Sequence, residues 1–122
     1  MSGLSWLRRH RSYTTALRQL GDWTVLEVHG RFVAGMPEQK FLSEIEGLIR
    51  SGSRRLVVDM TGALLADDTV ATAIQEVYHK ARLAGVDMRF VVQPGAAGGY
   101  YHMAGLEMTI PTYNRLTGAI DI

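Results

Sequence analysis

The sequence predicts an α/β fold, a single domain built on a mixed β-sheet of about five strands with about four helices covering it. Three observations predict it. Residues 55–92 read as a short apolar run, a loop with two adjacent acids, a long periodic helix and a second apolar run. That is a βαβ unit, which implies two parallel strands and a right-handed crossover. Residues 13–29 read as two strands joined by Gly21-Asp22, which is a hairpin. The rest of the chain keeps alternating between strand-like and helix-like segments, giving the order β-β-α-β-α-β-α-β-α.

Taken in order, the chain opens with a short basic arm, residues 1–12, ahead of a domain expected over 13–122. The first twenty residues hold Arg8, Arg9, Arg11 and Arg18 and no acid, with Leu4, Trp6 and Leu7 interspersed. Two readings of the arm stay open. Residues 1–11 either form a tail that packs Trp6 on the domain or make a peripheral contact with an anionic membrane or an acidic partner. The stretch lacks the long apolar core of a secretory signal. Tyr13 to Leu20 alternates loosely, and Thr24 to Gly30 forms the second strand, with Val25, Leu26 and Val28 as its apolar set. His29 reads as a surface strand residue.

Pro37 suits the first turn of a helix. Phe41, Leu42, Ile45, Leu48 and Ile49 make its apolar stripe, Glu38, Lys40, Glu44 and Glu46 are expected to face water, and Ser51-Gly52 ends it. Leu56-Val57-Val58 is too short for a helix and rich in β-branched residues, so it reads as a buried strand. In the following helix Val70, Ala73, Ile74, Val77 and Ala81 recur at helical spacing on one face, and Gly85 stops it. Met88 to Val92 is the next strand. Gln93-Pro94-Gly95 breaks the chain, and the run Gly95 to Gly99 lacks the spacing and the lysine of a phosphate loop. Ala96 to Ala104 reads as a short helix ended by Gly105, Leu106 to Ile110 as the last strand, and Pro111-Thr112 as the opening of a final helix with Leu116, Ala119 and Ile120 inward.

Composition narrows the function classes. The 122 residues are 47% hydrophobic and 20% charged, which is ordinary for a globular domain. A net charge of +1 gives no argument for nucleic acid, and there is no cysteine to form a disulfide or a thiolate metal site. No apolar run is long enough to span a membrane, and the lack of cysteine is compatible with a reducing cytoplasm, the expected setting. Asp59, Asp67 and Asp68 are oxygen donors of the kind hard cations take. No nucleophile–base pair, metal-ligand set or nucleotide fingerprint accompanies them, and His10, His29, His79 and His102 share no motif. The expectation is a non-enzymatic protein with no metal and no cofactor. Function is expected where the chain enters the helix at Asp67-Asp68-Thr69, a corner that exposes backbone N–H groups and the positive end of the helix dipole.

Several stretches, in order, resemble the STAS domain, the family of bacterial anti-sigma factor antagonists, over residues 13–121. Val25 to Phe32 resembles the family's second strand and its following glycine. Leu56 to Ala63 resembles the strand that ends in Asp-Leu-Ser, and Asp67 to Ala71 falls at the family's Asp-Ser-Ser-Gly-Leu position. Ala104-Gly105-Leu106 and Ala119 also fit. The resemblance implies reversible phosphorylation. In the family, the first serine after the aspartate is phosphorylated by a kinase that is also an anti-sigma factor. The unphosphorylated form binds that kinase and frees the sigma factor, and phosphorylation breaks the complex. Such a phosphate lies near a helix N-terminus and adds nearly two negative charges to a docking surface.

This chain departs from that pattern at the phosphorylated position, which is Asp68. Asp67 matches the preceding aspartate, Thr69 matches the second hydroxyl residue, and Val70 replaces the usual glycine. Aspartate carries about half the charge of a phosphate and none of its tetrahedral oxygens. Three readings stand. Asp68 partly imitates the phosphorylated state, or Thr69 is the acceptor, or one of Asp67 and Asp68 is a helix N-cap worth about 1 kcal/mol over alanine. The resemblance implies a partner-binding surface made of Asp67, Asp68, Thr69 and Thr72, with Arg31, Phe32 and Met36 from the loop after the second strand. Phe32, Val33 and Met36 are apolar for a loop, which suits either an interface or core plugging. The expected partner is a kinase-type anti-sigma factor or another signalling protein. The alternative is an accessory subunit of a lipid-transport ABC ATPase, which the basic arm would suit. The sequence leaves the oligomeric state open.

Overall fold

The computed structural model describes residues 12–32, 35–65, 68–92 and 110–120. Its strands are β1 (Thr14–Leu20), β2 (Trp23–Phe32), β3 (Arg55–Leu65), β4 (Asp87–Val91) and β5 (Thr112–Tyr113). Its helices are α1 (Met36–Arg50), α2 (Asp68–Leu83) and α3 (Leu116–Ile120). The five strands make one sheet in the order β1-β2-β3-β4-β5. β1 is antiparallel to β2, and β2, β3, β4 and β5 run parallel to one another. The sheet is mixed, as the sequence implies.

The hairpin forms as expected. Leu20 faces Trp23 across the two-residue turn, and Gly21 takes a φ of 58°, which both primed turns need at their first central residue. α1 starts with Pro37 in its first turn and ends at Ser51, where Gly52 at φ 99° lets the Ser53 N–H reach back to the Leu48 carbonyl at 3.1 Å. α2 ends the same way: Gly85 at φ 77° allows the Val86 N–H to reach the Ala81 carbonyl at 2.8 Å.

Side chains alternate across the sheet, so the two faces carry separate cores. Leu26, Val58 and Phe90 lie side by side under α1 and α2, where Phe41, Ile45, Ile74 and Val77 close the larger core. Lys80 of α2 donates to Glu46 of α1 at 3.1 Å, and this bond is the main cause of its raised pKa. The opposite face holds a smaller cluster of Trp23, Val25, Val57, Val91, Ala119 and Ile120, covered by α3.

The structure corrects several expectations. β3 runs on to Leu65, well past the apolar triplet, and contains Asp59 rather than ending at it. Thr112–Tyr113, expected to open the final helix, is a strand, and Ile110, expected in a strand, is a buried bend. Pro111 has no N–H to give a ladder, but its carbonyl accepts the Phe90 N–H at 3.0 Å from the sheet edge. The final helix therefore begins at Leu116, with Ala119 and Ile120 buried as expected. Glu44 does not face water freely but is taken up by two hydroxyl groups of the β1 region. Three helices stand among the described residues. The proposed helix over 96–104, the Gly-rich run before it, residues 106–109 and the arm over 1–11 lie outside the described residues.

Candidate functional site

Parallel pairing puts the carboxyl ends of β2 and β3 side by side, with Arg31 facing Leu64 and Phe32 facing Leu65. Each strand then feeds a helix whose N-terminus rises from that end of the sheet, α1 at Met36 and α2 at Asp68. Such an end, where successive strands deliver loops and helix starts, is where parallel sheets place binding sites. Ser12 bridges to Arg31, so the chain that precedes β1 joins the domain at the same end.

Of the expected site residues, Arg31 and Thr72 are exposed, and Met36 is 67% exposed at the first position of α1. Asp68 is the first residue of α2 and Thr69 the second. Asp67 and the side chains of Asp68 and Thr69 lie outside what is described. Phe32 departs from the expectation. It is the last residue of β2, not a loop residue, and it is fully buried. Its ring meets Tyr13 edge-on at 5.5 Å and Phe41 at 4.9 Å. It plugs the core beneath the site, and Arg31, its neighbour on the strand, takes the outward face.

A clasp the sequence did not suggest stands beside this end. The Tyr13 hydroxyl donates to Glu44 Oε1 at 3.2 Å, and the Thr15 hydroxyl donates to Glu44 Oε2. Burial, and then the Glu44 charge, push the Tyr13 phenol well above its ordinary range. The clasp fixes α1 against the hairpin. Its members stand 29 and 31 residues apart, so no local pattern could have revealed it.

Asp59 behaves as a local acceptor. Its Oδ1 takes the Thr61 N–H at 3.1 Å and the Thr61 hydroxyl at 2.8 Å. The register shifts here: the step from Glu27 to His29 on β2 is matched by the longer step from Asp59 to Gly62 on β3. The extra residue is a bulge, and the Asp59 carboxylate satisfies an amide that the bulge takes from the ladder. The half-buried His29 ring lies over Gly62 and meets Glu27 Oε1 at 3.4 Å.

On the smaller core, Arg89 lies 4.6 Å from the Trp23 ring and 5.9 Å from that of Tyr113, donates to the Ala119 carbonyl at 2.6 Å and pairs with Asp87 at 3.1 Å. A charged residue inside the apolar run 88–92 was the one sequence sign of it. Among the described residues no group of three or more His, Asp or Glu side chains could hold a metal ion. None of the described helices is long and apolar enough to cross a membrane.

Comparison with known proteins decides the family. The STAS domain family model matches residues 14–119. The chain belongs to the STAS domain family. This STAS domain is similar in fold to an anti-sigma factor antagonist from Mycobacterium paratuberculosis, with a TM-score of 0.78 at 21% identity over 90% of this chain and 92% of that one. A serine-to-glutamate variant of RsbS from Moorella thermoacetica is similar with a TM-score of 0.71 at 18% identity, over 88% of this chain and 92% of that one. Bacillus SpoIIAA in its phosphorylated form is similar with a TM-score of 0.64 at 11% identity, over 88% of this chain and 97% of that one. At these identities the likeness is one of fold. No curated protein matches the sequence.

Proposed function

We propose that this STAS domain is a non-enzymatic regulatory module of the anti-sigma factor antagonist type, which docks a kinase-type anti-sigma factor or a related signalling protein in the cytoplasm. Residues 13–122 form the module and 1–12 a basic arm. The docking surface is the start of α2, Asp67 to Thr72, together with Arg31 and Met36. The observation that carries the reading is the pairing of Arg31 with Leu64, which brings the exposed Arg31 and the starts of α1 and α2 to one end of the sheet. Similarity in fold to an antagonist from Mycobacterium paratuberculosis supports it.

Asp68 stands where the family carries its phosphorylated serine, so the first residue of α2 is an acid in place of a hydroxyl. That is a weakened form of the negative signal a phosphate would deliver. The test is affinity capture from the native cell with wild type and Asp68→Ser in parallel. A kinase-type anti-sigma factor held much better by the serine form makes Asp68 a built-in negative signal. Equal capture by both makes Asp68 a helix cap only. Failure of both to capture any signalling protein rejects the docking reading.

A further inference from the structure

We propose that β1 is a pairing edge through which two copies of this chain join their sheets, antiparallel, across a two-fold axis at Leu17. The two edges of the sheet differ in kind. β5 is two residues long and preceded by Pro111, both ordinary devices against edge pairing. β1 has neither. It holds seven residues in unbroken register with β2, with no proline, no lysine and no bulge. Its one charge, Arg18, is already paired with Glu27 at 2.7 Å. Leu17, at its centre, is 57% exposed.

The hairpin fixes which backbone groups face outward. Leu20 and Trp23 close a two-residue turn and so form a hydrogen-bonded pair. Alternation then turns the amides and carbonyls of Arg18, Ala16 and Thr14 toward β2, and those of Thr15, Leu17 and Gln19 away from it. Among the described residues these outward groups meet no other strand.

That outward set is symmetric about Leu17. Placed against a second copy, Leu17 faces Leu17, and Thr15 faces Gln19 in both directions. Each of these is a hydrogen-bonded pair, so every outward group finds a partner. A two-fold interface requires this self-complementarity. The two exposed leucines cover one another, and Arg18 falls opposite Ala16, so no like charges meet. The same register carries the exposed Asp22 turn of each copy to the exposed Ser12 of the other. The open groove of about 620 Å³ between β1 and α1, lined by Tyr13, Thr15, Lys40 and Glu44, leaves room beside the seam for side chains of the second copy.

A seam this short lies at the small end of specific interfaces, so the dimer depends on concentration. The test uses the full chain. In sedimentation velocity from micromolar to near-millimolar protein, wild type moves from monomer toward twice its mass, and Leu17→Lys, which sets two ammonium groups face to face, stays monomeric. The chain has no cysteine, so Leu17→Cys gives a clean second readout. Facing Cα atoms about 5.5 Å apart suit a disulfide. Mild oxidation of L17C should yield about tenfold more covalent dimer than L83C, a control at the 77% exposed Leu83 on α2. A dimer that persists in Leu17→Lys overturns the proposal. So does a monomer at every concentration with equal cross-linking of L17C and L83C, which would leave the edge to residues 1–11 or to another protein.

Discussion

A methyl group added at Gly62 would stand 2.4 Å from His29 Nδ1, well inside contact distance. The two residues face each other across β2 and β3, immediately after the register shift. The bulge turns this position under the imidazole, and the ring covers the space a side chain would fill. Gly62→Ala should therefore destabilise the domain by about 1–3 kcal/mol, the usual cost of overpacking. In a His29→Ala background the same change should cost little. Urea denaturation of the four proteins of this cycle measures the coupling. Equal costs in both backgrounds would mean that the ring turns away freely.

Tyr13→Phe should cost about 0.5–1.5 kcal/mol at neutral pH, the worth of one buried hydrogen bond. The pH dependence follows from the raised phenol. Folding favours the protonated form, so this stability is complete below the ordinary value of 10.0 and is lost progressively as pH climbs above it. Phenylalanine cannot ionise. The gap between wild type and variant should shrink above pH 10.0, as urea midpoints across that range will show.

Phe32 and Met36 are close in sequence and opposite in consequence. Phe32→Ala empties the space between Tyr13 and Phe41 and should cost about 3–5 kcal/mol. Met36→Ala removes an exposed side chain and should change stability by less than about 0.5 kcal/mol. If Met36 belongs to the docking surface, its variant loses captured partner while its thermal melt stays in place.

Arg89→Lys should destabilise the domain by about 2 kcal/mol, because an ammonium cannot stack flat on Trp23 and still reach both the Ala119 carbonyl and Asp87. A lysine variant with an unchanged urea midpoint would show that charge alone suffices.

The sequence made the repeating parts of the fold legible, because period and punctuation are local. Gly21-Asp22 marked the hairpin, Pro37 and Gly52 bracketed α1, and Gly85 closed α2. It gave Thr112 to the final helix because Thr112–Tyr113 is too short to show a period and is a strand only through pairing with Phe90 and Val91. It placed Phe32 in a loop because an apolar residue after Gly30-Arg31 looks the same whether it plugs a core or meets a partner. Burial against Tyr13 and Phe41 decides between these, and both rings come from other elements. The Glu44 clasp was invisible for the same reason. Arg31, Met36 and Thr72 were named from the family resemblance, and the folded chain leaves all three exposed.

The unequal covering of the sheet has a kinetic consequence. Among the described residues, one face is sealed by two long helices and the other by the five residues of α3 over a six-residue cluster. Local opening costs least where the fewest apolar contacts must part. α3 and β5 should lift away as a unit while the hairpin and the two long helices stay folded, and their amides should exchange with solvent well before those of β2 and β3. Trp23 sits in the cluster that this opening uncovers, so its fluorescence should report the detachment of the chain's last turn of helix ahead of global melting.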